Sequence, residues 1–146
     1  MIRRFSIADL NRIIEIERQA FPKSPYDLTT FLNLYWLYPE TFWVYVERTH
    51  AWEEGQISGY IVFARDGHII SIAVDPAHRR KGIGRTLLKR AINHPRIRKV
   101  RAEVRVSNKD AQAFYEGMGF RFVGVISNYY GDEDALVVEK IPEAKS

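Results

Sequence analysis

A run of cations and glycines at residues 78–85 has the residue types and spacing of an anion-binding loop. It reads His-Arg-Arg-Lys-Gly-Ile-Gly-Arg, follows an apolar, β-branched segment and opens an amphipathic segment with helical spacing. The first N–H groups of a helix lack intrahelical acceptors, and the helix dipole adds positive potential at the same end. Gly82 and Gly84 keep side chains away from the turning backbone, and three consecutive cations precede them. The run therefore predicts a binding site for a diphosphate.

This run differs from two well-known phosphate loops. The dinucleotide pattern G-x-G-x-x-G and the nucleotide pattern G-x-x-x-x-G-K-S/T are both absent from the sequence. The alternative interpretation is a solvated basic turn closed by glycines. The position of the run between an apolar strand and an amphipathic helix favours the binding interpretation.

The elements around this run alternate between strand and helical periodicity. They predict the order β-α-α-β-β-β-α-β-α-β-β and an α/β (α+β) class. Ser6 and Asp9 form a capping motif before the first helix, and Asp66-Gly67 is typical of a two-residue hairpin turn. Fraying is expected over residues 143–146. The predicted strands cover residues 2–5, 42–48, 57–65, 68–74, 99–106, 120–127 and 135–141, and the predicted helices cover 7–20, 27–38, 82–93 and 108–118.

Composition limits the class of protein. With 146 residues, 46% hydrophobic and 27% charged, the chain is expected to be a single globular domain over residues 1–146. It has no cysteine, which excludes disulfides, cysteine-based metal sites and a cysteine acyl-enzyme intermediate. No segment is typical of a signal peptide or a membrane span, so we expect a cytoplasmic protein without a membrane partner or a metal site. The formal net charge of +4 favours an anionic partner.

Several motifs, in order along the chain, resemble the GNAT superfamily of N-acetyltransferases. Residues 79–84 match the Q/R-x-x-G-x-G/A cofactor loop of that family, and the preceding strand with Asp75-Pro76 also fits. Two further blocks match at residues 102–108 with 114–116 and 119–120, and at 128–130 with 133–135. These two blocks, together with Phe21-Pro22 and Tyr26, are similar to the subgroup that acetylates protein N-termini, which comprises the RimI type and the archaeal and eukaryotic catalytic subunits.

The resemblance implies a fold and a cofactor. The family fold is a mixed central sheet of about six to seven strands, splayed in the middle to admit the acetyl group and flanked by about four helices. The cofactor would be acetyl-CoA (coenzyme A). Backbone groups of Ile72, Ala73 and Val74 would bind its pantetheine arm, and Asn108 and Tyr115 would face the arm and the thioester. The pyrophosphate would be held by Arg79, Arg80, Lys81, Gly82, Ile83, Gly84 and Arg85.

The resemblance also implies the catalytic residues. An α-amine has a pKa of about 8 and must lose a proton before it attacks a thioester. Glu103 is the candidate base, directly or through a water, and Tyr115 is the candidate acid for the departing thiolate. His68 is a further candidate that would assist through a water. Pattern alone leaves alternatives, because Glu103 shares a strand face with Arg101 and Arg105 as a surface carboxylate would, and Tyr115 fits a core position.

Five residues are candidates for the acceptor site. Tyrosine offers rigid contact area with a hydroxyl group, and the alternative is ordinary packing near a loop. The expected acceptor is a protein or peptide N-terminus, such as that of a ribosomal protein, with the ribosome or an auxiliary subunit as an associated partner. The candidates are Phe21, Pro22, Tyr26, Tyr129 and Tyr130.

Three functions fit these residues. The first is acetylation of protein N-termini, by direct attack in a ternary complex because the chain has no cysteine. The second is acetylation of small amines or lysine side chains, whose pKa of about 10.4 demands a stronger base. The third is a non-enzymatic basic module that binds RNA or protein, which the cations at residues 79–81 and 96–101 favour. The glycine loop, Glu103 and Tyr115 favour an enzyme, and no specific nucleic acid is expected as a partner.

Overall fold

The computed structural model describes residues 1–143 and has the predicted order of elements. Of the segment predicted to fray, residues 144–146 lie outside the described part. Short 3-10 turns at Ile7–Asp9 and Pro76–His78 precede the first and third helices. The strands are β1 Ile2–Arg4, β2 Phe42–Glu47, β3 Gln56–Phe63, β4 Ile69–Val74, β5 Val100–Arg105, β6 Arg121–Ile126 and β7 Ala135–Lys140, and the helices are α1 Leu10–Ala20, α2 Leu28–Leu37, α3 Ile83–Ile92 and α4 Lys109–Gly117.

The seven strands form two hydrogen-bonded sheets. One has four strands in the order β1-β2-β3-β4, and the other has three in the order β5-β7-β6. The pairs β1/β2, β2/β3, β5/β7 and β6/β7 are antiparallel. Seven strands and four helices agree with the expected α+β architecture. No helix in the described part of the chain is long and apolar enough to cross a membrane.

The chain forms two compact units, each discontinuous in sequence. The first contains Met1–Ala64 and Ile70–Ala91, and the second contains Arg65–Ile69 and the chain from Ile92 onward. Within the second unit, His68 and Arg101 form an isolated parallel bridge. The first unit therefore carries the predicted anion-binding loop, and the second carries the predicted proton-transfer residues.

The core of the first unit lies between α1, α2 and the four-stranded sheet. Ile13 and Ile16 on α1 are fully buried at helical spacing. The predicted capping motif is confirmed where the Ser6 N–H donates to the Asp9 carboxylate at 2.8 Å. The aromatic part of the core consists of Phe5, Phe31, Phe42 and Tyr60.

In the second unit, β5 alternates between a buried and a polar face. Val100, Ala102 and Val104 are buried, so the side chain of Glu103 lies on the opposite face. Gly119 ends α4 with a φ of 88°, as predicted for a helix C-terminus. These local features place Glu103 and α4 where the periodicity predicts them.

Strand β6 is the outer strand of the three-stranded sheet and is unusually exposed. Four large apolar side chains on it are exposed, and its pairing with β7 shifts register between Phe122 and Gly124. Exposure on both faces of a strand hides its period from sequence analysis. The exposed side chains are Phe122, Val123, Val125 and Ile126.

The prediction of a two-residue hairpin turn at Asp66-Gly67 is wrong. Strand β3 ends at Phe63 and β4 begins at Ile69, so the connection spans residues 64–68. The Asp66 carboxylate accepts the His68 N–H at 3.0 Å, and the Gly67 carbonyl accepts the Arg101 N–H at 3.0 Å. Because these groups bond outside a hairpin ladder, the turn is wider than predicted.

Candidate active site

The predicted anion loop has a backbone that only small or adaptable residues adopt easily. Arg80 and Gly82 have left-handed φ values of 68° and 78°. The Gly82 carbonyl accepts the Thr86 N–H at 2.9 Å, which is the first helical bond at the start of α3. The N–H groups of the first turn therefore have no acceptor within the helix. A Cβ added at Gly82 would meet no atom within 4 Å, so there is open space above this turn.

The cations of this loop are exposed, and one of them is paired. Lys81 Nζ lies 3.2 Å from Oε2 of Glu47, whose Oε1 lies 2.7 Å from Nδ1 of His78. Burial opposes the charge on Glu47, but its hydrogen bonds with Lys81 and other neighbours hold its pKa below the ordinary value. Within the described residues, Arg79 and Arg80 have no ion-pair partner. The sequence analysis missed Glu47, which lies far from the loop in the chain.

An ion pair anchors the segment that leads into the loop. The Asp75 carboxylate accepts the Ala77 N–H at 2.9 Å and lies 2.5 Å from a guanidinium nitrogen of Arg12 on α1. Arg12 Nε also donates to the Ile57 carbonyl at 2.9 Å. The hydrogen bond from Arg12 lowers the pKa of Asp75, although burial opposes it. Arg12 and Asp75 lie 63 residues apart, so no local pattern indicated this pair.

The three residues predicted to bind a pantetheine arm lie on β4. Ile72, Ala73 and Val74 form the end of this strand, which is the outer strand of the four-stranded sheet. An edge strand leaves alternate N–H and C=O groups on its outer side without a partner in its own sheet. These backbone groups therefore suit an extended amide-containing ligand, and their contact with a pantetheine arm stays a prediction.

The predicted acceptor residues of the first unit surround the end of α1. Phe21 caps this helix, with its N–H donating to the Glu17 carbonyl at 2.8 Å, and Pro22 is exposed. Tyr26 is half-buried and packs edge-on against Phe31, with 5.9 Å between ring centroids. Phe21 and Tyr26 both pack on the core, which is the alternative interpretation given for Tyr26.

The buried carboxylate of Glu17 holds the loop between α1 and α2 at Tyr26. Glu17 is only 2% exposed, and its Oε2 accepts the Tyr26 N–H at 2.9 Å. Its Oε1 accepts the hydroxyl of Tyr60, which is also within 2.9 Å of the Ser71 hydroxyl. Burial raises the pKa of Glu17, although these hydrogen bonds oppose the shift. The structure therefore gives Glu17 a role in fixing the loop at Tyr26.

In the second unit, Glu103 lies in a hydrogen-bonded cluster with His68 and Tyr129. His68 Nε2 lies 2.8 Å from Oε1 and 3.0 Å from Oε2 of Glu103, and the Tyr129 hydroxyl donates to Oε1 at 3.0 Å. Burial opposes ionisation, but His68, Tyr129 and the charge of Arg101 hold the pKa of Glu103 below its ordinary value. An ionised, half-buried carboxylate with a histidine partner can accept a proton.

Tyr115 combines a core ring with an unused hydroxyl. The side chain on α4 is 5% exposed, and its ring packs edge-on against Phe114 and Phe120 at 5.3 and 5.1 Å. No residue in the described part of the chain forms a hydrogen bond with its hydroxyl. Burial raises the pKa of Tyr115 well above its ordinary value, with Tyr130 and Glu103 adding to the shift. The phenol therefore stays protonated at neutral pH and can donate a proton.

Asn108 caps helix α4. Its Oδ1 accepts the Ala111 N–H at 3.0 Å, which satisfies one of the free donors of the first turn. This capping role was not predicted. Contact between Asn108 and a cofactor arm stays a prediction.

Tyr129 and Tyr130 lie in the loop between β6 and β7. Their rings pack edge-on with 4.9 Å between centroids, and the Arg105 guanidinium lies 4.2 Å from the centroid of Tyr130. Arg105 also forms ion pairs with Asp132 at 2.8 Å and Glu133 at 2.9 Å. The structure thus brings Tyr129 to Glu103 and Tyr130 to Arg105, to which the sequence analysis gave no role.

Comparison with known proteins points to one family. The model of the Acetyltransferase (GNAT) family matches residues 10–120. An uncharacterised N-acetyltransferase of Methanocaldococcus jannaschii is 42% identical over 99% of this chain and 94% of its own length. A putative ribosomal protein bS18-alanine N-acetyltransferase of Bacillus subtilis is 30% identical over 94% of this chain and 92% of its own length. An N-alpha-acetyltransferase of Saccharolobus solfataricus is 33% identical over 95% of this chain and 91% of its own length.

A solved structure agrees with these relatives. The crystal structure of Ard1 from Thermoplasma volcanium has a TM-score of 0.85 against this chain and is 30% identical to it. The match covers 99% of this chain and 98% of that one. The likeness therefore extends over nearly the full length of both chains.

Proposed function

The chain belongs to the acetyltransferase (GNAT) family, and on that premise we propose that it acetylates the N-terminal α-amine of proteins. It has the GNAT fold and is an N-acetyltransferase that uses acetyl-CoA. Relatives named for N-alpha-acetylation and for the alanine of ribosomal protein bS18 support the α-amine as the acceptor. We further propose that residues 1–146 act as one catalytic domain in the cytoplasm, with a ribosomal protein among its acceptors.

The cluster around Glu103 is the observation that carries this proposal. An ionised carboxylate with a lowered pKa is a weak base, so the cost of proton transfer depends strongly on the acceptor amine. An α-amine has a pKa of about 8 and a lysine side chain one of about 10.4. The difference of about 2.4 units corresponds to roughly 3 kcal/mol, which favours the α-amine.

The cofactor loop fits a diphosphate on the evidence of its own residues. Gly82 has open space above it, Arg79 and Arg80 are exposed cations, and the first turn of α3 has free N–H groups. These groups would hold the pyrophosphate, and the outer edge of β4 would bind the pantetheine arm. Bound acetyl-CoA supplies the acetyl group as a thioester.

The chain's own residues then divide the proton transfers. Glu103, held by His68 and Tyr129, accepts the proton from the α-amine. Tyr115 donates its phenolic proton to the departing thiolate, for which its hydroxyl is free of other bonds within the described residues. Without a cysteine to carry the acetyl group, the amine attacks the thioester directly in a ternary complex.

Paired peptides test the acceptor. Each pair shares one sequence with an internal lysine, and one member has a free N-terminus while the other is blocked by acetylation. The measurement is coenzyme A release at saturating acetyl-CoA, with mass spectrometry to locate the added acetyl group. We expect turnover on the free members only, including a pair that begins with alanine. Equal turnover on the blocked members would overturn the proposal in favour of lysine acetylation.

A further inference from the structure

We propose that Arg105 is a positioning residue that holds the loop at residues 127–134, so that the Tyr129 hydroxyl stays on the Glu103 carboxylate. This inference rests on the proposed function of Glu103 as the base. Arg105 binds Asp132 and Glu133 of this loop, so its effect on the Glu103 carboxylate is expected to be exerted through the loop.

The Arg105 side chain is bound on several sides. It is 12% exposed and pairs with Asp132 Oδ1 at 2.8 Å and Glu133 Oε2 at 2.9 Å. Its guanidinium also stacks over the Tyr130 ring, 4.2 Å from the centroid. A planar guanidinium can pair with carboxylates and stack on an aromatic face at once, whereas a lysine ammonium cannot reproduce this geometry.

The same loop is closed by further bonds. The Ser107 N–H and hydroxyl donate to the two oxygens of Glu133, each at 2.9 Å. The Asn128 N–H donates to Asp134 Oδ1 at 2.8 Å, and its carbonyl accepts the Gly131 N–H at 3.1 Å. Asn128 has a φ of 55°, a left-handed value that asparagine tolerates better than most residues. These bonds give the loop a defined structure, in which Glu133 binds both Arg105 and Ser107.

The position of Tyr129 depends on the contacts that Arg105 makes with this loop. It is 47% exposed, and its ring packs edge-on against Tyr130, which lies under Arg105. An exposed tyrosine with few core contacts has several accessible rotamers, so its neighbours decide where its hydroxyl lies. If Tyr130 loses its contact with Arg105, its ring can move, and Tyr129 then loses a packing partner.

The bond from Tyr129 has a chemical effect on Glu103. A hydroxyl that donates to a carboxylate stabilises the charged form. Tyr129 is among the groups that hold the pKa of Glu103 down, and so is the charge of Arg101. A change at Arg105 that keeps its positive charge is therefore expected to reach Glu103 through Tyr129.

The test compares Arg105→Lys, Tyr129→Phe and the double variant. Arg105→Lys keeps the positive charge and removes the planar, stacked fork. The pKa of the Glu103 carboxyl is measured directly by NMR titration of its side-chain carbon. We expect each single variant to raise this pKa, and the double variant to raise it no further than Tyr129→Phe alone. An unchanged pKa in Arg105→Lys, or additive shifts in the double variant, would overturn the proposal.

Arg101→Lys is the matched control. Arg101 lies on the same face of β5 on the other side of Glu103, and it pairs with Asp66 at 3.5 Å rather than with the loop. We expect this conservative change to leave the pKa of Glu103 where it is. If Arg105→Lys does not fold, Glu133→Gln releases the same anchor and is expected to raise the pKa as well.

Activity separates this inference from the proposed function. The acidic limb of the kcat/KM profile should move to higher pH in Arg105→Lys by the same amount as the carboxyl pKa. If the pKa moves and the acidic limb does not, Glu103 is not the base but Arg105 still positions Tyr129. If neither Arg105→Lys nor Glu133→Gln moves the pKa while Tyr129→Phe does, the positioning role is wrong and the proposed base is unaffected.

Discussion

His68 Nε2 lies 2.8 Å from Oε1 and 3.0 Å from Oε2 of Glu103, so one imidazole nitrogen is within hydrogen-bond distance of both oxygens of the carboxylate. The parallel bridge between His68 and Arg101 fixes the backbone register that allows this contact. The imidazole and the carboxylate therefore lie within hydrogen-bond distance of each other. A proton taken by Glu103 can thus pass to His68.

Replacing the carboxylate of this pair tests its role. We expect Glu103→Gln to lower kcat by roughly 10²- to 10⁴-fold, the range for loss of a general base, because an amide cannot accept the proton. The Kd of coenzyme A, measured by calorimetry, should stay nearly the same. Glu139→Gln is the control, since Glu139 is a β7 carboxylate paired with Lys99. Full activity of Glu103→Gln across the pH range would show that another group is the base.

The phosphate loop is tested at Gly82. Gly82→Asp is expected to abolish coenzyme A binding, but not by a clash, because a Cβ here meets no atom within 4 Å. Its causes are a negative charge beside the pyrophosphate and a φ of 78° that disfavours most side chains. Gly82→Asn is the matched control, since asparagine is uncharged and tolerates this φ. Calorimetry should show Gly82→Asn binding at least about tenfold more tightly, and equal loss in both variants would exclude the charge effect.

The proposed acid is tested by Tyr115→Phe. This change should lower kcat without weakening coenzyme A binding, and it should change stability by less than about 1 kcal/mol because no bond to the hydroxyl is lost. Because burial raises the pKa of Tyr115 above 10.0, its deprotonation should not limit the wild-type rate below that pH. Tyr35→Phe, in the packing around Phe5, is the control. Unchanged kcat in Tyr115→Phe would assign the proton to water.

Glu17 predicts a pH dependence of stability. Its folded pKa lies above the ordinary value of 4.5, so the folded protein binds more protons than the unfolded chain just above that pH. The free energy of unfolding therefore falls as the pH rises from the unfolded pKa through the folded pKa. The free energy of unfolding is measured with urea for wild type and Glu17→Gln at three pH values. About pH 4 lies below the ordinary pKa of Glu17, and about pH 5.5 and about pH 7 lie above it. The variant should gain on wild type as the pH rises, and a constant difference would contradict the raised pKa.

Local patterns predicted the order of elements well. The alternation of β5, the helical spacing of α1 and the glycine after α4 are properties of short segments, and all three appear as expected. The family and the use of acetyl-CoA are confirmed by the match over residues 10–120. That the chain acts as one domain, and that Glu103 and Tyr115 are catalytic, stay predictions.

Contacts between distant residues were not predictable. Arg12 pairs with Asp75 across 63 positions, and Glu47 pairs with Lys81 across 34. Nothing in the neighbourhood of either residue indicates its partner, because the contact exists only once the strands have paired. Arg105 was placed on the correct strand face, but its partners lie 27 and 28 residues further on, in a loop whose shape depends on its own hydrogen bonds.

The irregular pairing of β6 has a consequence for how the protein behaves at high concentration. A straight outer strand that displays Phe122 and Val125 would be an open template, onto which extended segments of other molecules could stack into fibres. The register shift between Phe122 and Gly124 interrupts the regular row of donors and acceptors that such stacking needs. The extra residue at this shift is Val123, and a redesign that removes it and straightens β6 is expected to raise the tendency of the protein to aggregate.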